Sequence, residues 1–261
     1  MRRLTLTLLL IAVGLGTAHG AESDVTIVSG LDFGFKDMRL DFTSASNVFN
    51  PSFVTINPSI ALGYKSFYAS LSYDKSISAD PSTGQALDMT SGAPIPTATI
   101  TDYSRADSTF TLGYRLNQSF SLFAGYTQGA SNFTETRVVT TPAVPSPSIT
   151  TLIVTDVEYT ETGPFAGVGY SKTFGDKGTL GLSIGYAQLD GELQVAVHPG
   201  TKVTRFKGDT TGLSYGLTWS GPLTGSLGYR VGVKATKYQT KDLDDLTERY
   251  TSFFLGITNY F

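Results

Sequence analysis

The chain of 261 residues has no cysteine, two histidines and one tryptophan, and only 16% of it is charged. Without cysteine there is no thiol catalysis, thiolate metal centre, disulfide framework or cysteine-linked lipid anchor. His19 and His198 are too few for a histidine-based metal site, and no cofactor is expected. The 19 basic and 22 acidic residues, net −3, leave no basic footprint, so nucleic acid is not an expected partner. After residue 20 no run of 18 apolar residues occurs, which excludes helical membrane spans.

Glycine, with 28 copies, tyrosine with 14 and phenylalanine with 16 are abundant, and 40% of the chain is hydrophobic. That is too apolar for disorder, so the apolar residues must be arranged in some pattern other than long runs. Residues 1–20 read as a signal peptide: Arg2 and Arg3, an apolar stretch from Leu4 to Gly16, and small residues in Ala18-His19-Gly20. Cleavage before Ala21 leaves a single domain, 21–261, with 17 basic and 22 acidic residues and a net charge of −5.

The mature chain alternates with period two. Phe110, Leu112, Tyr114 and Leu116 oppose Thr109, Thr111, Gly113 and Arg115, and Leu180, Leu182, Ile184 and Tyr186 oppose Gly181, Ser183, Gly185 and Ala187. Such alternation marks strands between two unlike environments. Gly-Tyr recurs at 63–64, 113–114, 125–126, 169–170, 185–186 and 228–229, always with tyrosine on the apolar face. A soluble sandwich has little reason to fill its second face with glycine and serine. A barrel facing lipid does, because its rings point out and its small residues point into a crowded lumen.

Ten strands are expected, at 25–42, 52–64, 67–77, 98–116, 119–134, 151–174, 179–196, 202–220, 225–240 and 247–261. Eight or twelve are the alternatives. Connections alternate between tight turns, at Lys65-Ser66, Asn117-Gln118, Gly175 to Gly178 and Gly221 to Thr224, and longer loops such as 78–97 and 135–150. Short periplasmic turns and long outer loops are the pattern of an antiparallel transmembrane β-barrel, and an even strand count returns both termini to the periplasm. Pro58 and Pro164 fall inside strands, where each removes a ladder donor and a bulge is expected.

The final strand ends in Phe253-Phe254-Leu255-Gly256-Ile257-Thr258-Asn259-Tyr260-Phe261. Phe253, Leu255, Ile257 and Phe261 in one phase resemble the assembly signal of bacterial outer-membrane β-barrel proteins; Asn259 departs from it, since an apolar residue is usual there. The resemblance specifies a class and implies the barrel-assembly machinery, outer-membrane lipid and lipopolysaccharide as partners. Tyr64, Tyr114, Tyr170, Trp219 and Phe261 are expected as an aromatic girdle at the periplasmic interface.

A ten-stranded barrel also resembles the omptin proteases in strand number and loop layout, and those work with paired aspartates and an Asp-His couple. The spacings differ here: Asp80 and Asp88 are eight apart, and His198 has no acidic residue two positions away. Outer-membrane deacylases and acyltransferases need a histidine near a serine, and the nearest to His198 in sequence are Ser183 and Ser214. Asp242, Asp244 and Asp245 read as a solvated acidic loop. No enzymatic activity is expected.

By phase, Asp32, Lys36, Asp74, Arg115, Arg230 and Lys234 point into the lumen. Either these charges pair and plug a narrow barrel, or they line a narrow passive pore for ions or small solutes. The many inward glycines lean toward the porin-like pore, with Arg115 and Arg230 near the periplasmic mouth favouring anions. The alternative is a structural barrel, or one that binds a surface partner through its loops.

Overall fold

In the computed structural model, which describes residues 25–42, 47–79, 82–87, 94–141, 149–198, 203–241 and 246–261, the alternating segments are all strands. They are β1 (Val25–Phe42), β2 (Asn47–Phe49), β3 (Ser52–Tyr64), β4 (Phe67–Ala79), β5 (Ser82–Leu87), β6 (Pro94–Arg115), β7 (Phe120–Thr141), β8 (Ile149–Thr173), β9 (Thr179–His198), β10 (Val203–Thr224), β11 (Leu227–Thr240) and β12 (Leu246–Tyr260). Ten of them form a wall in which each strand pairs antiparallel with its neighbour, and β12 pairs back with β1 to close it. β2 and β5 are short additions paired with β1 and β6. The proposed signal peptide lies outside the described residues.

The register fixes the shape. From Arg39 on β1 the direct partners run through Arg249, Lys237, Leu213, Tyr186, Ala166, Ala124, Leu112, Ala69 and Leu62, and return to β1 at Ile27. The walk slips twelve residues along β1, a shear of 12 for ten strands, which tilts them by about 40° to the barrel axis.

The outer surface is apolar over one belt. Phe33, Leu112, Ile184, Leu255 and Ile257 are each at least half exposed, which only lipid makes favourable. The belt ends together on several strands. Phe35, Tyr126, Tyr186, Leu213 and Phe253 are followed, at the next outward position, by Asp37, Gln128, Gln188, Thr211 and Thr251. Beyond that line the strands continue as a polar collar on the side of the long connections. The membrane-spanning part is the belt; the collar is extracellular.

Four expectations are corrected. Pro58 and Pro164 produce no bulge: pairing with the neighbouring strand lapses between Ile56 and Ser59 and between Thr162 and Phe165, then resumes in the same register. One missing N–H opens the ladder locally while both flanks hold it. The nearest register shift is at Val54/Thr55. Gly221 to Thr224 is strand, with a bulge at Pro222/Thr224; the turn is Gly225-Ser226, where Gly225 takes φ +54°. Finally, much of 78–97 and 135–150 is strand, because β5, β6, β7 and β8 run on above the belt.

Candidate functional site in the barrel lumen

Inward glycines do not leave the lumen empty. Tyr68 lies over Gly113, Phe123 over Gly167, Phe165 over Gly125, Tyr238 over Gly212 and Phe254 over Gly232, so closely that a Cβ on any of these glycines would overlap the ring. Each ring is laid flat against the neighbouring strand, a pairing in which glycine supplies the hollow and the ring restores the buried area. This corrects the reading of the glycines as pore-widening.

The lumen has three tiers. Nearest the periplasm, two cavities of about 400 and 340 Å³ share Thr109, Thr127, Lys234 and Tyr238 as lining and form one chamber. Asp32, Lys36, Asp74, Arg230 and Lys234 line it. Arg230 Nε donates to Asp32 Oδ1 at 2.6 Å, and its Nη2 reaches Asp32 Oδ2 and, at 3.2 Å, Ser59 Oγ. Lys36 Nζ lies 2.6 Å from Asp74 Oδ2 and 3.5 Å from Asp107 Oδ2. Arg115 is not among the lining residues; it ends β6 and is exposed. With Arg230 held by Asp32, the two arginines do not form an anion-selecting ring.

Above the chamber is an ionic layer centred on Arg105, only 6% exposed. Its guanidinium donates to Asp107 at 3.0 Å, Ser131 Oγ at 2.9 Å, Tyr250 Oη at 2.6 Å and Glu161 Oε2 at 3.1 Å, while its Cζ stands 4.7 Å from the centre of the Tyr250 ring. Tyr250 passes the bond on to Glu248 Oε2 at 2.6 Å. Glu161 and Glu248 are both almost fully buried. Burial, then the neighbouring Glu161 charge, pushes the Glu248 carboxyl up to about 8, and burial also raises Glu161. Tyr159 joins Glu161 at 3.3 Å to the Thr210–Thr240 hydroxyl pair.

The third tier is apolar. Met38, Leu40, Phe53, Tyr103, Tyr159, Leu246 and Tyr250 form a buried cluster with Phe133, Leu193 and Tyr238 against it. The Phe53 and Tyr103 rings are 5.1 Å apart, and Tyr103 Oη donates to Met38 Sδ. These buried side chains come from β1, β3, β6, β8 and β12, all strands of the wall. None of the ionic layer except the parity of Arg105 and Asp107 with Arg115 was legible beforehand.

On the lipid face, Tyr114 packs on Phe67, Tyr170 on Phe120 and Trp219 on Phe174, with centroids 4.9–5.7 Å apart; Trp219 Nε1 donates to Tyr229 Oη at 3.0 Å, and Tyr64 and Phe261 are exposed. Phe253, Leu255, Ile257 and Phe261 all face outward, and Asn259 shares their phase.

His198 does have an acidic partner. Strand pairing brings Asp156 Oδ2 to 3.0 Å from His198 Nε2, and Thr134 Oγ1 donates to Asp156 Oδ1 at 2.9 Å. The hydrogen bonds from Thr134 and His198 hold the Asp156 carboxyl below its ordinary range. Sequence spacing missed the couple because its members are 42 residues apart on paired strands. Both are over half exposed on the outer wall, and among the described residues no hydroxyl bonds the imidazole. Asp80, Asp88, Asp242, Asp244 and Asp245 lie outside the described residues, among which no group of three acidic or histidine side chains is placed to hold a metal.

No family model matches the chain, and no curated protein does. Among solved structures it is similar to the outer-membrane protease OmpT from Escherichia coli, with a TM-score of 0.65 at 11% identity over 91% of this chain and 96% of that one. The translocator domain of the autotransporter NalP from Neisseria meningitidis follows at 0.45 and 10% over 93% and 90%, and Ail, the attachment invasion locus protein of Yersinia pestis, at 0.39 and 12% over 90% and 99%. At such identities the likeness is one of fold. The chain has the fold of the outer-membrane β-barrels, a closed antiparallel wall with an apolar outer belt.

Proposed function

We propose that this barrel is closed to passive flow at rest and works through its extracellular collar as a surface-binding module. The observation that carries the reading is the plug: Arg105, Glu161 and Tyr250, then Phe53, Tyr103 and Met38, fill the collar interior and are all buried. Buried ionic layers held by several charge-assisted hydrogen bonds are rigid, and opening one separates charges from their partners. A second reading, a narrow porin-like channel, draws on the chamber below. Planar-bilayer recording tests the proposal: purified barrel is expected to be electrically silent at neutral pH, and a stable open-channel current in the unmodified protein overturns it in favour of the channel.

The collar supports this reading in two further ways. Arg39, Arg249 and Lys237 are direct neighbours on β1, β12 and β11, outward-facing just above the lipid belt, where phosphorylated outer-leaflet lipid offers anions. Among the described residues no hydroxyl bonds the imidazole of the outward-facing His198–Asp156 couple, so we read it as part of a polar surface and the chain as non-enzymatic. The outward row Phe253, Leu255, Ile257 and Phe261 offers the apolar edge for the barrel-assembly machinery. The signal peptide at 1–20 supplies the export route in this reading.

A further inference from the structure

One cation in the chamber below the plug stands beyond ion-pair distance of any carboxylate among the described residues. Of the four cations that face the lumen there, Lys36, Arg105 and Arg230 each lie within 3.5 Å of a carboxylate. Lys234 has no carboxylate at ion-pair distance among the described residues, although Lys36, Arg105, Asp74 and Asp107 surround it more distantly. Its side chain is exposed to the lumen and lines both cavities. The remaining walls of the cavity of about 340 Å³ are of another kind: Tyr68, Phe123, Phe165 and Tyr238 present ring surface, alongside Thr109 and Thr127.

A chamber of this size, closed at one end and holding one cation beyond ion-pair distance beside a wall of rings, matches a small ligand site, in which an apolar lining sets the fit and one polar group sets the orientation. Towards the periplasm many inward positions are small, Ser70, Ser121, Gly169, Gly181 and Thr218 among them, with Tyr68 and Arg230 as the large side chains there, and we place the entry on that side. The Arg105 layer blocks the other.

We propose that the chamber is a binding site, entered from the periplasm, for a small aromatic anion whose acidic group pairs with Lys234 and whose ring lies against Phe123, Phe165 and Tyr68. The anionic group gives Lys234 a partner at contact distance, and the ring replaces water on the lumen side of half-buried aromatic rings. Nothing in this depends on whether the collar binds a partner.

The test uses the full barrel in lipid nanodiscs, with 4-fluorobenzoate followed by fluorine NMR. Saturable binding is expected, together with at least a tenfold loss of affinity in Lys234→Gln and a similar loss in Ser183→Phe, which fills the same cavity without altering charge. The uncharged 4-fluorobenzyl alcohol is expected to partition into the disc without saturating. Equal binding to the wild type and both variants means partitioning only and overturns the proposal, as does an absence of saturable binding to the wild type. Heat-modifiable gel mobility identifies folded protein, so that a variant which fails to fold is replaced by the other.

Discussion

Glu248 is the residue with the most to lose. It is buried at 1% exposure, its Oε2 accepts from Tyr250, and its Oε1 has no partner among the described atoms. An ionised carboxylate there sits beside Glu161 with Arg105 already shared by two other acids, so the folded barrel keeps the proton up to about pH 8 against an ordinary value of 4.5. A raised carboxyl contributes stability that is complete below the unfolded value, declines as pH rises through the interval between the two, and is gone above the folded one. The thermal unfolding midpoint, read by gel mobility, is therefore expected to fall by several degrees between pH 5 and pH 8 and to level off beyond. Glu248→Gln, neutral at every pH, is expected to flatten that slope, and an unchanged slope in the variant contradicts the assignment. Residue identity of this kind was only partly legible: Arg105 and Asp107 share the inward parity of Arg115, but that Arg105 meets Glu161 and Tyr250 depends on strands far apart in sequence.

At the scale of the strand, period-two alternation was enough to place the ten wall strands to within a few residues, because lipid on one side and a packed lumen on the other reward the same pattern everywhere. It was not enough above the membrane. There the outward face is polar as well, the contrast vanishes, and β5 with the outer parts of β6, β7 and β8 read as loop. Nor does alternation distinguish a glycine that leaves space from one that receives a ring. Gly113 lies beneath Tyr68, whereas a Cβ on Gly181 would meet only Thr218, at ordinary contact distance of 3.8 Å. Gly113→Val is therefore expected to push Tyr68 off the wall and to lower the yield of folded barrel several-fold in refolding from urea, while Gly181→Ala refolds as the wild type does. Equal yields for the two refute the ring-over-glycine account.

For the whole molecule, the plug is two closures in series, and series closures have a simple consequence. In the proposed closed barrel, current would have to pass the buried ionic layer of Arg105, Glu161 and Tyr250 and then the apolar tier of Phe53, Tyr103 and Met38, and either alone is expected to stop it. The tiers touch, since Tyr103 Oη, donating to Met38, accepts at 3.3 Å from Ser131 Oγ, which itself accepts from Arg105 at 2.9 Å. Removing Arg105 leaves Asp107 and Glu161 without their cation and is expected to cost about 3–5 kcal/mol of stability. Even so, Arg105→Ala is expected to stay electrically silent as long as Phe53 and Tyr103 remain packed, and Phe53→Ala with Tyr103→Ala is expected to stay silent behind the intact ionic layer. Only the three substitutions together join the chamber to the outside, and planar-bilayer recording should then show a current absent from both partial variants. A current in Arg105→Ala alone would mean that the apolar tier does not seal, and that the barrel is a channel gated by a single ionic layer rather than a closed wall with a chamber beneath it.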